Sequence, residues 1–331
     1  MTDAVQTWKA QLVECDPTSD QWKEAAQHMR EYAADFVNGL KRRPNSRAVD
    51  EVRALIPDDL REELEALPVA QFALGLIFYR PFQDYNRVYR HFSHEYAKEL
   101  SMQARKDFSE FDTTSFVYGE ISFFPFADIL DSISADIPVG NGVFYDLGSG
   151  VGKAVMAAAL VHKFHKAIGI EQLKPLVDFS HARVDRLMET NDVAGQTISY
   201  LCGSFFDHKW SDGDVVFCHS TCFSPRYVFV ISLPMVGCLD TKDMMDSMWE
   251  RISKDAEQLK QGAYFISVSH ILASPLFEVL RTLTVQMGWG NCTVYIQRRR
   301  RIGRWASKML KGSATRTDLQ RPNTKQSELR E

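Results

Sequence analysis

The segment that most constrains the fold of this chain is the glycine-rich bend Asp-Leu-Gly-Ser-Gly-Val-Gly at 146–152. The apolar run Val143–Tyr145 precedes the bend and Lys153 follows it. A strand, a bend too tight for side chains and a helix start together are typical of a cofactor site in a parallel α/β sheet. Glycines let backbone amides lie against a ligand, and the N-terminus of a helix favours a negatively charged group.

The acid at the start of the bend distinguishes between the candidate cofactors. A carboxylate at the strand end repels a pyrophosphate but attracts an ammonium group. Asp146 therefore favours the amino-acid end of S-adenosylmethionine over a dinucleotide such as NAD. The residues that we expect to bind this end of the cofactor are Asp146, Gly148, Ser149, Gly150, Gly152 and Lys153.

Three further elements follow in the order that a class I methyltransferase requires. The run 167–171 ends on Glu171, which can accept hydrogen bonds from ribose hydroxyls in either kind of cofactor. Ser204 and Phe205 follow a third strand, where Phe205 or Phe206 could stack on an adenine ring. A fourth strand at 214–218 runs into His219, where the strand order reverses. Each residue alone also has a commonplace structural explanation, so the prediction depends on their combination.

The pattern predicts an α/β fold, the Rossmann-like, seven-stranded sheet of class I S-adenosylmethionine-dependent methyltransferases. Apolar strands alternate with amphipathic helices, which indicates a largely parallel sheet covered on both faces. Near the end, two strand-like runs flank Gly288-Trp289-Gly290 and predict an antiparallel hairpin, which an all-parallel dinucleotide sheet lacks. Predicted strands are 142–147, 166–171, 197–201, 214–218, 262–269, 276–286 and 291–298, and predicted helices are 151–163, 173–189 and 241–260. The apolar segment 225–239 has no place in this scheme.

Three regions are predicted: a helical region at 1–115, the methyltransferase domain at 116–297 and a basic, disordered tail at 298–331. One helix of the first region is expected over Tyr85–Phe108. The tail carries a net charge of +8 within a chain of net charge -4, so Arg298, Arg299, Arg300 and Arg301 could contact nucleic acid or direct nuclear import. A solvated tail without a partner is the alternative.

Composition excludes several other classes of protein. No apolar run reaches the roughly 18 residues of a membrane helix, and the beginning of the chain lacks the pattern of a signal peptide. The six cysteines lack metal-type spacing, so we expect reduced thiols of an intracellular protein and neither disulfides nor zinc.

Upstream of the bend, Tyr118-Gly119-Glu120 and Phe123 complete a known combination. With the 146–152 bend, Gly169-Ile170-Glu171, Gly203-x-Phe205 and Asp214-Val215-Val216-Phe217, the chain resembles the disruptor of telomeric silencing (Dot-one) family of histone-lysine methyltransferases over about 116–270. The resemblance implies that Tyr118 and Glu120 form a lid over S-adenosylmethionine, that Glu171 binds its ribose and that Phe205 packs on its adenine.

The chain departs from the family pattern at two positions. Ser204 replaces the usual acid before the phenylalanine, so Ser204, Asp207 or a backbone amide could recognise adenine instead. His219-Ser220-Thr221 replaces a pair of asparagines beside the methyl-transfer centre. We expect Tyr118, His219 and Ser220 at this centre, where His219 either orients the amine or accepts its proton, or else is a structural histidine. No metal is expected.

The resemblance thus implies a nuclear enzyme that methylates lysine in the globular core of histone H3 in nucleosomes. Because the second departure lies at the transfer centre, a cytoplasmic or nuclear methyltransferase of another protein or a small molecule is the alternative. A module that binds the cofactor without transferring its methyl group is a third possibility, and a dehydrogenase is the least favoured. The sequence does not reveal the target lysine, the methylation state or the oligomeric state.

Overall fold

The structure is a computed structural model that describes residues 7–8, 10–12, 14–16, 18–29, 78–107, 119–188, 193, 195–219, 241–287 and 290–301. Tyr118, Ser220 and the segment 225–239 lie outside the described residues, as does the chain after Arg301. Residues 20–29 are helical, and the labels below begin with the first helix that has both ends described.

A seven-stranded sheet forms the centre of the molecule, in the order β3-β2-β1-β4-β5-β7-β6. The first five strands are parallel, and β7 runs antiparallel to both β5 and β6. This arrangement confirms the predicted class I methyltransferase sheet with its closing hairpin. The strands are β1 Val143–Leu147, β2 Lys166–Glu171, β3 Thr197–Cys202, β4 Val215–Cys218, β5 Tyr264–Val268, β6 Phe277–Met287 and β7 Gly290–Arg299.

The central strands form because both of their faces are covered. Every residue of β1, β4 and β5 is buried, which explains why their sequences are continuous apolar runs rather than alternating ones. The helices with both ends described are α1 Tyr79–Tyr89, α2 His94–Ala104, α3 Phe123–Asp131, α4 Lys153–Val161, α5 Lys174–Met188 and α6 Thr241–Ala256. Helix α4 is apolar and buried along its whole length after Lys153 because it packs against the sheet on one side and against α1 and α3 on the other.

The prediction of one continuous helix over Tyr85–Phe108 is wrong. Helix α1 ends at Tyr89, and α2 begins at His94 after a turn. Ser93 is the N-cap of α2, and its Oγ accepts a hydrogen bond from Tyr96 N at 3.2 Å. A serine that satisfies an N-terminal amide favours a helix start over a helix interior, so the chain turns before it.

The predicted boundary between sheet and tail also needs correction. Strand β7 continues to Arg299, so Arg298 and Arg299 belong to the sheet and not to a disordered tail. The guanidinium of Arg298 lies 3.2 Å from Asp136 Oδ2, and Nη2 of Arg299 donates to the carbonyl oxygen of Glu257 at 2.8 Å. Because β5 pairs with β7 as far as Arg298, the strand cannot end at 297 without losing ladder hydrogen bonds.

One buried apolar cluster joins the N-terminal helical residues to the sheet. Trp22, Met29, Phe78 and Val88 belong to the same cluster as Phe126, Phe144 and Phe217. A second cluster, around Trp210 and Phe265, covers the opposite face. Within the described part of the chain no helix is long and apolar enough to cross a membrane.

Candidate functional site

A small cavity lies at the carboxyl ends of β1 and β4, where the strand order of the sheet reverses. It is lined by Asp146, Gly148 and Ser149 from the end of β1 and the bend, by Lys153 from the start of α4, and by His219 after β4. Glu120, which precedes α3, closes the remaining side. Six of the predicted site residues thus meet at the edge of the sheet where parallel α/β folds bind ligands.

The backbone of the bend is hydrogen-bonded inward rather than towards the cavity. The amides of Gly148 and Ser149 both donate to the carbonyl oxygen of Ile170, at 2.9 and 3.0 Å. The amide of Gly150 donates to Glu171 Oε2 at 2.9 Å, and that of Gly152 donates to the carbonyl oxygen of Ser149. The predicted contact of glycine amides with a ligand is therefore wrong for Gly148, Gly150 and Gly152, because the neighbouring strand, its acid and the carbonyl oxygen of Ser149 accept from these amides.

What the bend offers to a ligand is space. Gly148 has a φ of +80°, and a Cβ at this position would meet no described atom within 4 Å. The nearby Ser149 hydroxyl is buried and has no hydrogen-bond partner among the described residues. A ligand group that lies over Gly148 could therefore come close to the backbone and bond to this hydroxyl.

Asp146 is the least compensated charge of the site. Its side chain is only 2% exposed, and Oδ1 has no hydrogen-bond partner among the described residues. Burial, followed by the nearby carboxylate of Glu171, raises the pKa of Asp146 well above its ordinary value. A buried carboxylate with an unsatisfied oxygen is stabilised by a bound cation, so the residue fits the ammonium group of an amino-acid ligand such as S-adenosylmethionine.

Glu171 acts first as an organiser of the bend. Its Oε2 accepts from Gly150 N and its Oε1 accepts from Leu173 N, each at 2.9 Å. Burial raises the pKa of Glu171, and the amides of Leu173 and Gly150 oppose this effect because they stabilise the charged form. Each carboxylate oxygen has a second lone pair, so hydrogen bonds to ribose hydroxyls remain compatible with this arrangement.

An ion pair spans the mouth of the cavity. Lys153 Nζ lies 2.8 Å from Glu120 Oε2, and both side chains are largely buried. Nδ1 of His94, at the start of α2, lies 3.3 Å from the same oxygen. The sequence analysis missed His94 because it lies far from the bend in the chain and carries no motif of its own.

His219 extends from the end of β4 into the cavity lining and is 6% exposed. Burial lowers its pKa to about 4, so its imidazole is neutral at physiological pH. A neutral imidazole can orient an amine through a hydrogen bond, but a group with this pKa is a weak proton acceptor near neutral pH.

The predicted adenine contacts lie outside this cavity. Ser204 Oγ accepts from Phe206 N at 3.3 Å, and the carbonyl oxygen of Phe205 accepts from Trp210 Nε1 at 3.1 Å. Both residues follow β3, beside the strand that ends at Glu171. This is the side of the sheet on which a nucleotide would continue from the bend, although their contact with adenine remains a prediction.

One family model matches the part of the chain that contains the bend. Residues 96–226 match the family model described as "Histone methylation protein DOT1". A search of curated proteins found no match.

Solved structures with a similar arrangement share little sequence with the chain. TrmN from Thermus thermophilus is 13% identical with a TM-score of 0.39, and the match covers 56% of this chain and 51%, about half, of that protein. A putative RNA methyltransferase from Pyrococcus horikoshii is 16% identical with a TM-score of 0.37, and the match covers 62% of this chain and 98% of that protein. The O-methyltransferase from Bacillus cereus in complex with SAH is 11% identical with a TM-score of 0.38, and the match covers 62% of this chain and 99% of that protein.

The family match includes Glu120, the bend and Glu171, which are the elements that line or support the cavity. Over residues 96–226, which are less than half of the chain, the sequence is therefore similar to the DOT1 histone methylation family.

Proposed function

We propose that this methyltransferase transfers the methyl group of S-adenosylmethionine to the side-chain amine of a lysine in the globular core of histone H3 in nucleosomes. The family match supports a histone substrate. The single observation that carries the cofactor assignment is the buried Asp146 carboxylate, whose Oδ1 lacks a partner among the described residues at the end of β1. A cationic ligand group would relieve this unsatisfied charge.

In this proposal the two charged ends of the cofactor's amino-acid group meet opposite charges. Asp146 holds the ammonium group, and Lys153 at the N-terminus of α4 attracts the carboxylate. Glu120, which the resemblance places in a lid with Tyr118, would provide a second carboxylate for the ammonium group. Glu171 accepts from the ribose hydroxyls, and Ser204 and Phe205 bind the adenine. Gly148 and Ser149 provide the close approach of the backbone, and Gly150 and Gly152 shape the bend that makes this approach possible.

The protein's main chemical tasks are to align the amine and to keep it neutral. The bound sulfonium supplies an electrophilic methyl group that needs no further activation. A lysine ammonium has an ordinary pKa near 10.4, and an apolar surrounding lowers it by desolvation. We propose that Phe217 contributes to this surrounding, and that His219 and Ser220 orient the amine for in-line attack.

Nuclear action and contact with nucleosomal DNA form the second part of the proposal. Among the four arginines of the predicted basic segment, Arg298 and Arg299 are engaged with Asp136 and the carbonyl oxygen of Glu257. Arg300 is half exposed and 3.8 Å from Glu278, and Arg301 is exposed. Phosphate contacts are therefore proposed for Arg300 and Arg301, because neutralising DNA phosphates with arginines releases the counterions that are condensed on the DNA.

A second candidate function is methylation of a non-histone protein or a small molecule. It is favoured by His219, a buried neutral imidazole where the resembled family has an asparagine. A change of this kind beside the amine alters which hydrogen bonds the site can offer to a substrate. Binding of the cofactor without methyl transfer is the remaining alternative.

Calorimetry with S-adenosylmethionine and mass spectrometry of treated nucleosomes, free histones and cytosolic extract test the proposal. Three chains are compared: the unchanged protein, Asp146→Ala, and Asp178→Ala as a matched exposed acid on α5. We expect methylated histone H3 from the first and third chains only. Label in extract proteins alone would favour the second candidate, binding without label would favour a binding module, and no heat with the cofactor would contradict the assignment of the site.

A further inference from the structure

The inward face of the bend is held by three hydroxyl groups from three different elements. Tyr89 Oη, at the end of α1, donates to the carbonyl oxygen of Val151 at 3.1 Å. Tyr200 Oη, in β3, donates to the carbonyl oxygen of Gly152 at 3.1 Å. Ser180 Oγ, in α5, lies 3.3 Å from the carbonyl oxygen of Gly150, besides a shorter bond to Leu176 O. Consecutive carbonyls of the bend are thus fixed from outside the βα unit that contains them.

These contacts matter because the bend cannot hold this conformation by itself. Val151 lies between Gly150 and Gly152, whose φ angles are +54° and +80°. Glycines reach such angles without steric cost, so the peptide groups on either side of Val151 have alternative orientations of similar energy. Hydrogen bonds to their carbonyls select one orientation, and with it the direction in which α4 and Lys153 start.

Tyr89 is the member of this set that comes from the region before the sheet. Its side chain is 4% exposed, and its ring lies 4.9 Å from that of Tyr85 and 5.8 Å from Lys153 Nζ. Helix α2, which follows, places His94 against Glu120. The α1–α2 pair therefore contacts the bend and both members of the ion pair at the mouth of the cavity.

We infer that Tyr89 is a positioning residue for cofactor binding, through which α1 sets the conformation of the glycine bend. This inference rests on the proposed function, because it assumes that the bend binds S-adenosylmethionine. Tyr89 does not line the cavity and acts through the carbonyl of Val151. The helical region before the sheet is then a working part of the cofactor site.

The test is Tyr89→Phe in the full chain, which removes the hydroxyl and keeps the ring. We expect the Kd for S-adenosylmethionine, measured by calorimetry, to rise about fivefold, the loss that corresponds to one hydrogen bond. The KM for the cofactor should rise by the same factor, while kcat at saturating cofactor stays within about twofold because the substrate side of the site is unchanged. Tyr200→Phe should raise the Kd similarly. In the double variant the Kd should rise by less than the product of the two single increases.

Two control variants separate positioning from general stability. Tyr85→Phe removes a hydroxyl from the same aromatic stack, and none of the bend's hydrogen bonds described above involves it. Val88→Ala lowers the stability of α1 because it removes part of a buried apolar side chain. Both should bind the cofactor like the unchanged chain, although Val88→Ala should melt at a lower temperature.

The outcomes are distinguishable. Unchanged binding by Tyr89→Phe, or equally weak binding by Val88→Ala, overturns the inference and leaves the proposed function intact. A folded, unchanged chain that does not bind the cofactor overturns both.

Discussion

At the residue scale, we expect Asp146 to strengthen cofactor binding but to lower the stability of the ligand-free protein. Burial raises its pKa in the folded protein, so the folded state binds the proton more tightly than the unfolded state does. Stability is therefore lost as the pH rises above the unfolded value of about 3.9. We predict that Asp146→Asn, which is neutral at every pH, raises the thermal unfolding midpoint of the ligand-free protein at pH 8, as measured by circular dichroism.

The same substitution is expected to weaken binding of S-adenosylmethionine about 10- to 100-fold, the range for losing a charge-assisted hydrogen bond. Asp178→Asn is the control because Asp178 is exposed and forms an ion pair with Lys174, one turn before it on α5. Its midpoint and its binding should stay close to those of the unchanged chain. If Asp146→Asn melted at a lower temperature than the unchanged protein at pH 8, the expected effect of Asp146 on stability would be wrong.

Two buried histidines give a second prediction at this scale. Burial lowers the pKa of both His219 and His162 to about 4. Between about pH 6.5 and 4 both imidazoles therefore bind protons in the unfolded state but not in the folded state. The free energy of unfolding falls as the pH drops through this range. We predict that His162→Gln and His219→Gln each reduce this acid-induced loss, measured as the urea midpoint at pH 6.5 and at pH 4.5.

The rate of methyl transfer should distinguish the His219 variant from the His162 variant. Only His219 lines the cavity, so His219→Gln should change the methylation rate, whereas His162→Gln should leave it within about twofold. Because the imidazole of His219 is neutral above pH 6, its loss should not remove an inflection from the rate profile between pH 6.5 and 8. An inflection near pH 7 that disappears in His219→Gln would contradict the assigned pKa.

At the element scale, two glycines of the bend have the same φ of +80° but different surroundings. A Cβ at Gly152 would lie 2.3 Å from the Tyr200 hydroxyl, whereas one at Gly148 would point into open space. We predict that Gly152→Ala loses the cooperative thermal transition or lowers its midpoint by many degrees. Gly148→Ala should remain folded, with a strain of about 1–2 kcal/mol, and bind the cofactor poorly. Equal melting of the two variants would be inconsistent with this geometry.

The strands and acids of the sheet were predictable because they depend on local patterns. The fully apolar run of β1, the glycines after it and the acids at 146 and 171 can all be found within a window of thirty residues. The alternation of strands and helices indicated a largely parallel sheet covered on both faces. The sequence therefore indicated the edge of the sheet and the charges present there.

The contacts of the bend could not be predicted in the same way. The hydroxyls that hold its carbonyls come from Tyr89, Ser180 and Tyr200, and the Tyr89 bond joins residues 62 positions apart. Such pairings depend on how helices dock on the sheet, which no short pattern encodes. The break between α1 and α2 did have a signal, the N-cap at Ser93, although the apolar residues on both sides masked it.

At the scale of the whole molecule, the regions predicted at 1–115 and 116–297 share one core. Phe78, Val88 and Tyr89 are almost completely buried within the cluster that contains Phe126 and Phe144. Burying a large apolar side chain contributes roughly 1.5–3 kcal/mol. Because the net stability of a domain is only about 5–15 kcal/mol, the sheet loses a decisive part of it without these residues.

We therefore predict that a chain beginning at 116 has no cooperative thermal transition and exposes apolar surface that binds the dye ANS. A chain that ends at Arg301 keeps every residue of the core cluster and should melt in one transition close to that of the full chain. Circular dichroism followed in the near and far ultraviolet tests both chains, since coincident transitions indicate a single cooperative unit. If residues 116–331 alone unfolded cooperatively with the same thermal midpoint as the full chain, the helical region would not contribute to the stability of the sheet. Tyr89 would then have no role in setting the conformation of the bend.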